Sequence, residues 1–186
     1  MLGPDMIFKA IEFAARAHTG QNRKGTKIPY IVHPLGVAKV LIDHGSPDYL
    51  VAAGILHDTT EDTPVTLEQI TETFGPRIAE LVKDSSEPDK SKKWEDRKKH
   101  TIEQLETISN EAVILALADK LDNIRAIRED LERSGESVWK RFNAPKDQQK
   151  WYYESLVRVI SSRLTDEHSM PMLNLFRQEV TRVFGL

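Results

Sequence analysis

Three short runs of this 186-residue chain hold the side chains best suited to chemistry. The first, Tyr30-Ile31-Val32-His33-Pro34, sets a histidine at the entrance to a predicted helix. The second, His57-Asp58-Thr59-Thr60-Glu61-Asp62, sets a histidine and three carboxylates directly behind an apolar run. In a helix, four-residue spacing places His57 under Glu61 and Asp58 under Asp62, on adjoining strips of one face. Carboxylates crowded this closely resist ionising together unless a cation sits among them. The third run, Ala112–Ile124, places Asp119 behind seven apolar residues, with Asn123 one turn further on. Burying an unpaired carboxylate is expensive, so Asp119 needs a metal or a cationic partner. A salt bridge to a nearby Lys or Arg meets the same need.

The three runs together offer two imidazoles and two carboxylates: His33, His57, Asp58 and Asp119. Mixed nitrogen and oxygen donors suit a divalent first-row ion such as Mn, Fe, Co or Zn, whereas Mg prefers an all-oxygen shell. Two neutral imidazoles and two carboxylates also balance a divalent charge. Glu61 and Asp62 are then left close by without a metal to bind. That arrangement suits metal-assisted hydrolysis, in which the ion polarises a phosphoryl oxygen and acidifies water while a carboxylate takes the proton. The competing readings are structural: a capping histidine at position 33 and a solvated acidic helix end at 57–62.

The elements that must position these residues are helices. Ile7, Ile11, Ala14, Ala15 and His18 recur at three- and four-residue steps, predicting a helix over Asp5–His18. A polar segment, Thr19–Ile28, reads as a surface loop. Pro34 is expected to open a second helix ending near Gly45, and Ser46-Pro47-Asp48 a third running through His57. Thr66 caps a short helix to Phe74, and Gly75-Pro76 breaks it and starts the next, to about Lys83. Asp84–Lys93 has no apolar period and is expected to be a mobile loop. Further helices are expected over about Trp94–Ile108, Glu111–Leu131, Lys146–Leu164 and Met170–Val183, with a connector and soft boundary near 133–145. No segment alternates with period two. The expectation is an all-α, single-domain helical bundle of about eight to ten helices spanning residues 1–186.

Composition narrows the class. Lys plus Arg number 26 against 29 Asp plus Glu, a net charge of -3 that argues against a general nucleic-acid binder. Mean hydropathy is -0.46, and the longest apolar stretches, Tyr49–Leu56 and Ala112–Ala118, fall far short of the roughly 20 residues of a membrane span. The absence of cysteine excludes a disulfide scaffold, a Cys nucleophile and Cys-ligated zinc. The N-terminus lacks the pattern of a secretory signal, so the expected location is the cytoplasm.

The ordered motifs resemble those of the HD superfamily of metal-dependent phosphohydrolases. Within it they are similar to the hydrolase domain of the RelA/SpoT alarmone enzymes and to the stand-alone small alarmone hydrolases. The resemblance rests on His18-Thr19-Gly20-Gln21 with Arg23-Lys24, Pro29-Tyr30-Ile31 with His33-Pro34, Leu56-His57-Asp58 with Glu61-Asp62-Thr63, and Leu117-Ala118-Asp119-Lys120 with Asn123. These motifs run in order over about residues 14–127, with the helices at about 146–183 expected to pack on that core.

The resemblance implies manganese-dependent removal of the 3′-pyrophosphate from guanosine tetra- and pentaphosphate, with one Mn²⁺ held by His33, His57, Asp58 and Asp119. It assigns Glu61 and Asp62 as the pair that positions and activates water. It assigns Arg23 and Lys24 to the nucleotide, Asn123 to the ribose and scissile phosphate, and Tyr152 to the substrate phosphates. A strongly anionic substrate needs local cations, which Arg23, Lys24, Lys27 and Lys120 supply. The implied partner is a small-molecule nucleotide, not nucleic acid or membrane, and the chain is a candidate homodimer. His18 and His44 are read as structural or surface residues. Ending at Leu186, the chain has no room for the synthetase domain of the long relatives and reads as a hydrolase only. Two alternatives stay open: an HD phosphohydrolase acting on an adenosine alarmone, the 2′-phosphate of NADPH or a simple nucleotide, and a nucleotide sensor without catalysis.

Overall fold

The computed structural model describes residues 4–86 and 91–185. Among them the fold is all-α, and the nearest approach to a strand is a single antiparallel bridge between Asn22 and Pro29. By their internal packing the residues form two compact units, Met1–Ser86 and Glu87–Leu186.

The first unit contains α1 (Pro4–Ala17), α2 (Val32–Asp43), α3 (Asp48–Leu56), α4 (Thr59–Asp62), α5 (Leu67–Phe74) and α6 (Pro76–Ser85). Its organising element is α3. Every residue from Leu50 to Leu56 is buried, so this helix is apolar all round and needs neighbours on each side. α1, α2 and α6 supply them, and α5 packs on α6. Thr66 and Gln69 form a reciprocal capping box at the start of α5. Gly75, at φ +90°, ends α5 and leads into Pro76, the first residue of α6.

Two boundaries differ from the sequence reading. α2 begins at Val32, which puts Pro34 inside the first turn, where its missing N–H has no helical acceptor to lose. α3 stops at Leu56, and His57-Asp58 form a turn before α4. Both residues keep helical dihedrals, and the Asp62 N–H donates to the Asp58 carbonyl at 2.9 Å, so the four-residue register survives the break.

The second unit contains α7 (Trp94–Leu105), α8 (Asn110–Ser134), a 3₁₀ segment (Gly135–Arg141), α9 (Lys146–Arg163) and α10 (Met170–Phe184). α8 is its spine, packing against α9, α10 and the 3₁₀ segment. Trp139, Tyr153 and Phe184 join that segment to α9 and α10 through ring contacts of 5.6–5.8 Å. The Gly135–Arg141 segment, within the expected connector, packs on α8, and by internal packing the chain divides after Ser86. The expected mobile loop over Asp84–Lys93 begins later, because α6 continues to Ser85, and its residues 87–90 lie outside the described ones. No helix among the described residues is long and apolar enough to cross a membrane.

Arg163 ties the end of α7 to the start of α8. Its guanidinium donates to the carbonyls of Leu105 and Ile108 and to the Asn110 side chain, at 2.5, 2.7 and 3.1 Å. The Leu105 carbonyl would otherwise end α7 unsatisfied. Arg163→Met should cost about 1.5–3 kcal/mol, the usual size for charge-assisted hydrogen bonds. Urea unfolding would read that loss, and an unchanged midpoint would contradict it.

Candidate metal centre

The site starts from the end of a buried helix. The last carbonyls of α3 have no continuing helix to serve, and water cannot reach them. Two side chains of the following turn meet the need: His57 Nδ1 lies 2.8 Å from the Gly54 carbonyl, and the Thr59 hydroxyl donates to the Leu56 carbonyl at 2.6 Å. A carbonyl only accepts, so Nδ1 carries the hydrogen and Nε2 is turned the other way. Nε2 then faces Asp58 Oδ2 at 3.0 Å. From the first turn of α2, His33 Nε2 approaches the same oxygen at 3.5 Å. The two imidazoles meet edge to face, 5.2 Å between centroids.

One ligand atom from each of His33, His57 and Asp58 lies within 4.8 Å of the others. With relative exposures of 3% and 2%, the histidines are shielded from bulk water. The donor set fits a divalent first-row ion: two imidazole nitrogens and one carboxylate oxygen converge on a shared volume. The backbone hydrogen bond to His57 Nδ1 is the kind of outer support that fixes the tautomer of a metal-binding histidine.

Tyr30 joins this cluster to the acidic pair. Its hydroxyl lies 2.6 Å from Asp58 Oδ2 and 3.2 Å from Asp62 Oδ2. Burial, reinforced by the negative charges of Asp58 and Asp62, pushes the phenol well above its ordinary range, so it stays a donor. Asp62 is also held through its backbone, where Gln21 Nε2 donates to its carbonyl at 2.8 Å. Glu61 is half-buried beside it in α4.

The loop that carries Arg23 and Lys24 is a tight turn rather than an open strap. The Arg23 N–H donates to the Ile28 carbonyl at 2.8 Å, the Tyr30 N–H to the Gln21 carbonyl at 2.9 Å, and Gly25 takes φ +72° at the turn. This leaves Lys24 exposed and Arg23 half-buried, its guanidinium 5.8 Å from the centroid of the Tyr30 ring.

Three expected site residues lie in the second unit. Asp119, buried in α8, accepts from Lys120 Nζ and Asn123 Nδ2, each at 2.5 Å. Burial works against the Lys120 ammonium, yet the adjacent Asp119 carboxylate prevails and holds its pKa well above the ordinary value. The salt bridge weighed as the alternative for Asp119 is thus present, made by its own neighbour. Tyr152, in α9, is buried, with the Lys98 ammonium 5.2 Å from the centroid of its ring and no hydrogen-bond partner for its hydroxyl among the described residues.

Within the first unit, then, the structure brings together His33, His57, Asp58 and Asp62. The motifs contained Tyr30 and Gln21, but the sequence reading gave neither a role, because nothing in the spacing said where the phenol and the amide point.

A model of the HD domain family matches residues 10–148 of the chain. The human guanosine-3′,5′-bis(diphosphate) 3′-pyrophosphohydrolase MESH1 is 36% identical over 157 residues, which is 83% of this chain and 82% of that protein. The crystal structure of lmo0812 from Listeria monocytogenes superposes with a TM-score of 0.76 at 38% identity, covering 85% of this chain and 97% of the other. A structure described as a metazoan ortholog of SpoT that hydrolyzes ppGpp also gives a TM-score of 0.76, at 27% identity, covering 96% and 97%.

Asp58→Ala and His57→Ala, made separately, should each abolish tight binding of a divalent ion, because each removes one of three convergent donors. Titration calorimetry with Mn²⁺ checks this, and undiminished affinity in either variant would contradict the assignment.

Proposed function

The chain belongs to the HD domain family of metal-dependent phosphohydrolases, and we propose that it removes the 3′-pyrophosphate of guanosine tetra- and pentaphosphate, giving GDP or GTP and pyrophosphate. The observation that carries the reading is the convergence of His33, His57 and Asp58, with Asp62 tied to the same carboxylate through one phenol. Similarity to pyrophosphohydrolases of comparable length supports the choice of substrate. The two units act as one hydrolase domain, and the reaction takes place in the cytoplasm on a free nucleotide.

We assign Mn²⁺ as the ion and Asp119 as its fourth ligand. Support comes from the mixed imidazole and carboxylate donors, which a second carboxylate completes to a set that balances a divalent charge. When bound, the cation supplies Lewis acidity to a phosphoryl oxygen and makes a water easier to deprotonate. The chain's own groups supply orientation and proton transfer. Glu61 and Asp62 hold the attacking water and accept its proton. The water oxygen bonds to the phosphorus on the ribose 3′-oxygen, the ester bond to that oxygen breaks, and the nucleoside oxygen takes up a proton.

Substrate binding falls to cations, because the acidic pair would repel a polyphosphate. Arg23 is assigned to the purine, where a planar guanidinium can stack, and Lys24 to the nucleotide phosphates. Asn123 is assigned to the ribose and scissile phosphate. The buried hydroxyl of Tyr152, lacking a partner among the described residues, suits a phosphate oxygen.

The test is turnover of the purified, Mn-loaded chain on guanosine and adenosine alarmones, NADPH and simple nucleotides. Chelator-sensitive release of pyrophosphate from the guanosine alarmones is expected. Cleavage of another nucleotide alone would overturn the substrate, and binding without turnover would favour a sensor. Glu61→Gln should retain the metal and lower kcat by roughly 10²–10⁴, the usual contribution of general acid–base help; an unaltered kcat would remove Glu61 from the proton transfer. Arg23→Ala should chiefly raise KM, and a normal KM would contradict its place at the nucleotide.

A further inference from the structure

A phenol with one hydrogen sits between two carboxylates that have different tasks. Tyr30 Oη is 2.6 Å from Asp58 Oδ2, the oxygen that both histidines face, and 3.2 Å from Asp62 Oδ2. The hydroxyl donates to both, mainly to the nearer Asp58 Oδ2, so this single shared hydrogen fixes the separation between the two carboxylates. Asp58 belongs to the ion-binding cluster and Asp62 to the pair that handles the water's proton. Without the phenol, two like charges would face each other across the space it fills.

The ring is placed with little freedom. The backbone of Tyr30 is tied to Gln21, its ring lies 4.7 Å from that of His18, and His33 meets it edge-on at 6.0 Å. His18 is itself anchored, Nδ1 donating to Gln21 Oε1 at 2.8 Å, while the other end of that amide donates to the Asp62 carbonyl. Asp62 is thus gripped at its backbone by Gln21 and at its carboxylate by Tyr30. A chain of packed rings and hydrogen bonds that locks both carboxylates is the outer support a metal hydrolase site needs.

We propose that Tyr30 is a positioning residue that sets the metal-binding carboxylate of Asp58 and the proton-accepting carboxylate of Asp62 at a fixed distance, with His18 and Gln21 holding it in place. The proposal rests on the hydrolase reading for its catalytic half, while its metal-binding half stands on the geometry alone. Tyr30 touches no reacting atom; it acts through Asp58 and Asp62.

Tyr30→Phe in the full chain is the test, since it removes the hydroxyl and keeps the ring that packs against His18, His33 and Arg23. Mn²⁺ affinity by titration calorimetry should fall about tenfold and kcat at saturating Mn²⁺ by about 10–100-fold, the range for outer-shell partners of a metal site. KM for guanosine tetraphosphate and the melting temperature should stay unchanged. Unchanged affinity together with unchanged kcat would overturn the proposal. So would losses that track a collapse in melting temperature, which would make Tyr30 a packing residue only. Should the unsubstituted protein leave the alarmones intact, the proposed function fails, and the Mn²⁺ titration still decides the role of Tyr30.

Discussion

The end of α3 governs the site. A helix buried on every side must terminate somewhere, and its final carbonyls need donors that water cannot supply. The chain provides them from the turn that follows: His57 serves Gly54 and Thr59 serves Leu56. Satisfying those carbonyls turns His57 Nε2 toward Asp58 and starts α4 one turn later, with Glu61 and Asp62 on it. One requirement of backbone hydrogen bonding therefore fixes the tautomer of an imidazole in the candidate metal cluster and the station of the acidic pair. α2 packs against α3, which brings His33 to the same oxygen.

Electrostatics explains the rest of the first unit's polar design. Asp58, Glu61 and Asp62 lie within five positions of one another, beside an apolar core that screens poorly. Cations and donors are brought in from the preceding loop: the Tyr30 hydroxyl on two of the carboxylates and the Arg23 guanidinium near the Tyr30 ring. That loop is held as a tight turn by its own backbone hydrogen bonds, which keep the Arg23 guanidinium beside the Tyr30 ring. A net charge of -3 does not prevent cations from being concentrated locally, as Arg23 and Lys24 are on this loop.

Much of this was legible in the sequence because it follows from local rules. Thr66 and Gln69, Gly75 and Pro76, and the apolar steps of α1 mark their own helix ends and faces. His33, His57 and Asp58 were legible as donors only in combination, because each alone fits a structural role while together they offer a mixed imidazole and carboxylate set. What escaped was geometry set by long-range packing. Tyr30 and Asp58 are 28 positions apart, and only the packing of α2 against α3 makes the hydroxyl a bridge. Arg163 likewise reaches carbonyls 55–58 positions away. The break between α3 and α4 was hidden for the opposite reason: its residues keep helical dihedrals, so the four-residue pattern continues across it. The division after Ser86 falls inside the aperiodic Asp84–Lys93 segment, which read as a loop, whereas the Gly135–Arg141 segment looked like part of a connector and packs on α8.

The most direct measurement is anomalous diffraction at the manganese edge from crystals of the Mn-loaded chain. A single strong peak within about 2.3 Å of His33 Nε2, His57 Nε2 and an Asp58 carboxylate oxygen is expected, a normal distance for first-row ions and such donors. A peak that avoids these three atoms, or none at saturating metal, would contradict the claim that the end of α3 is built as a metal centre.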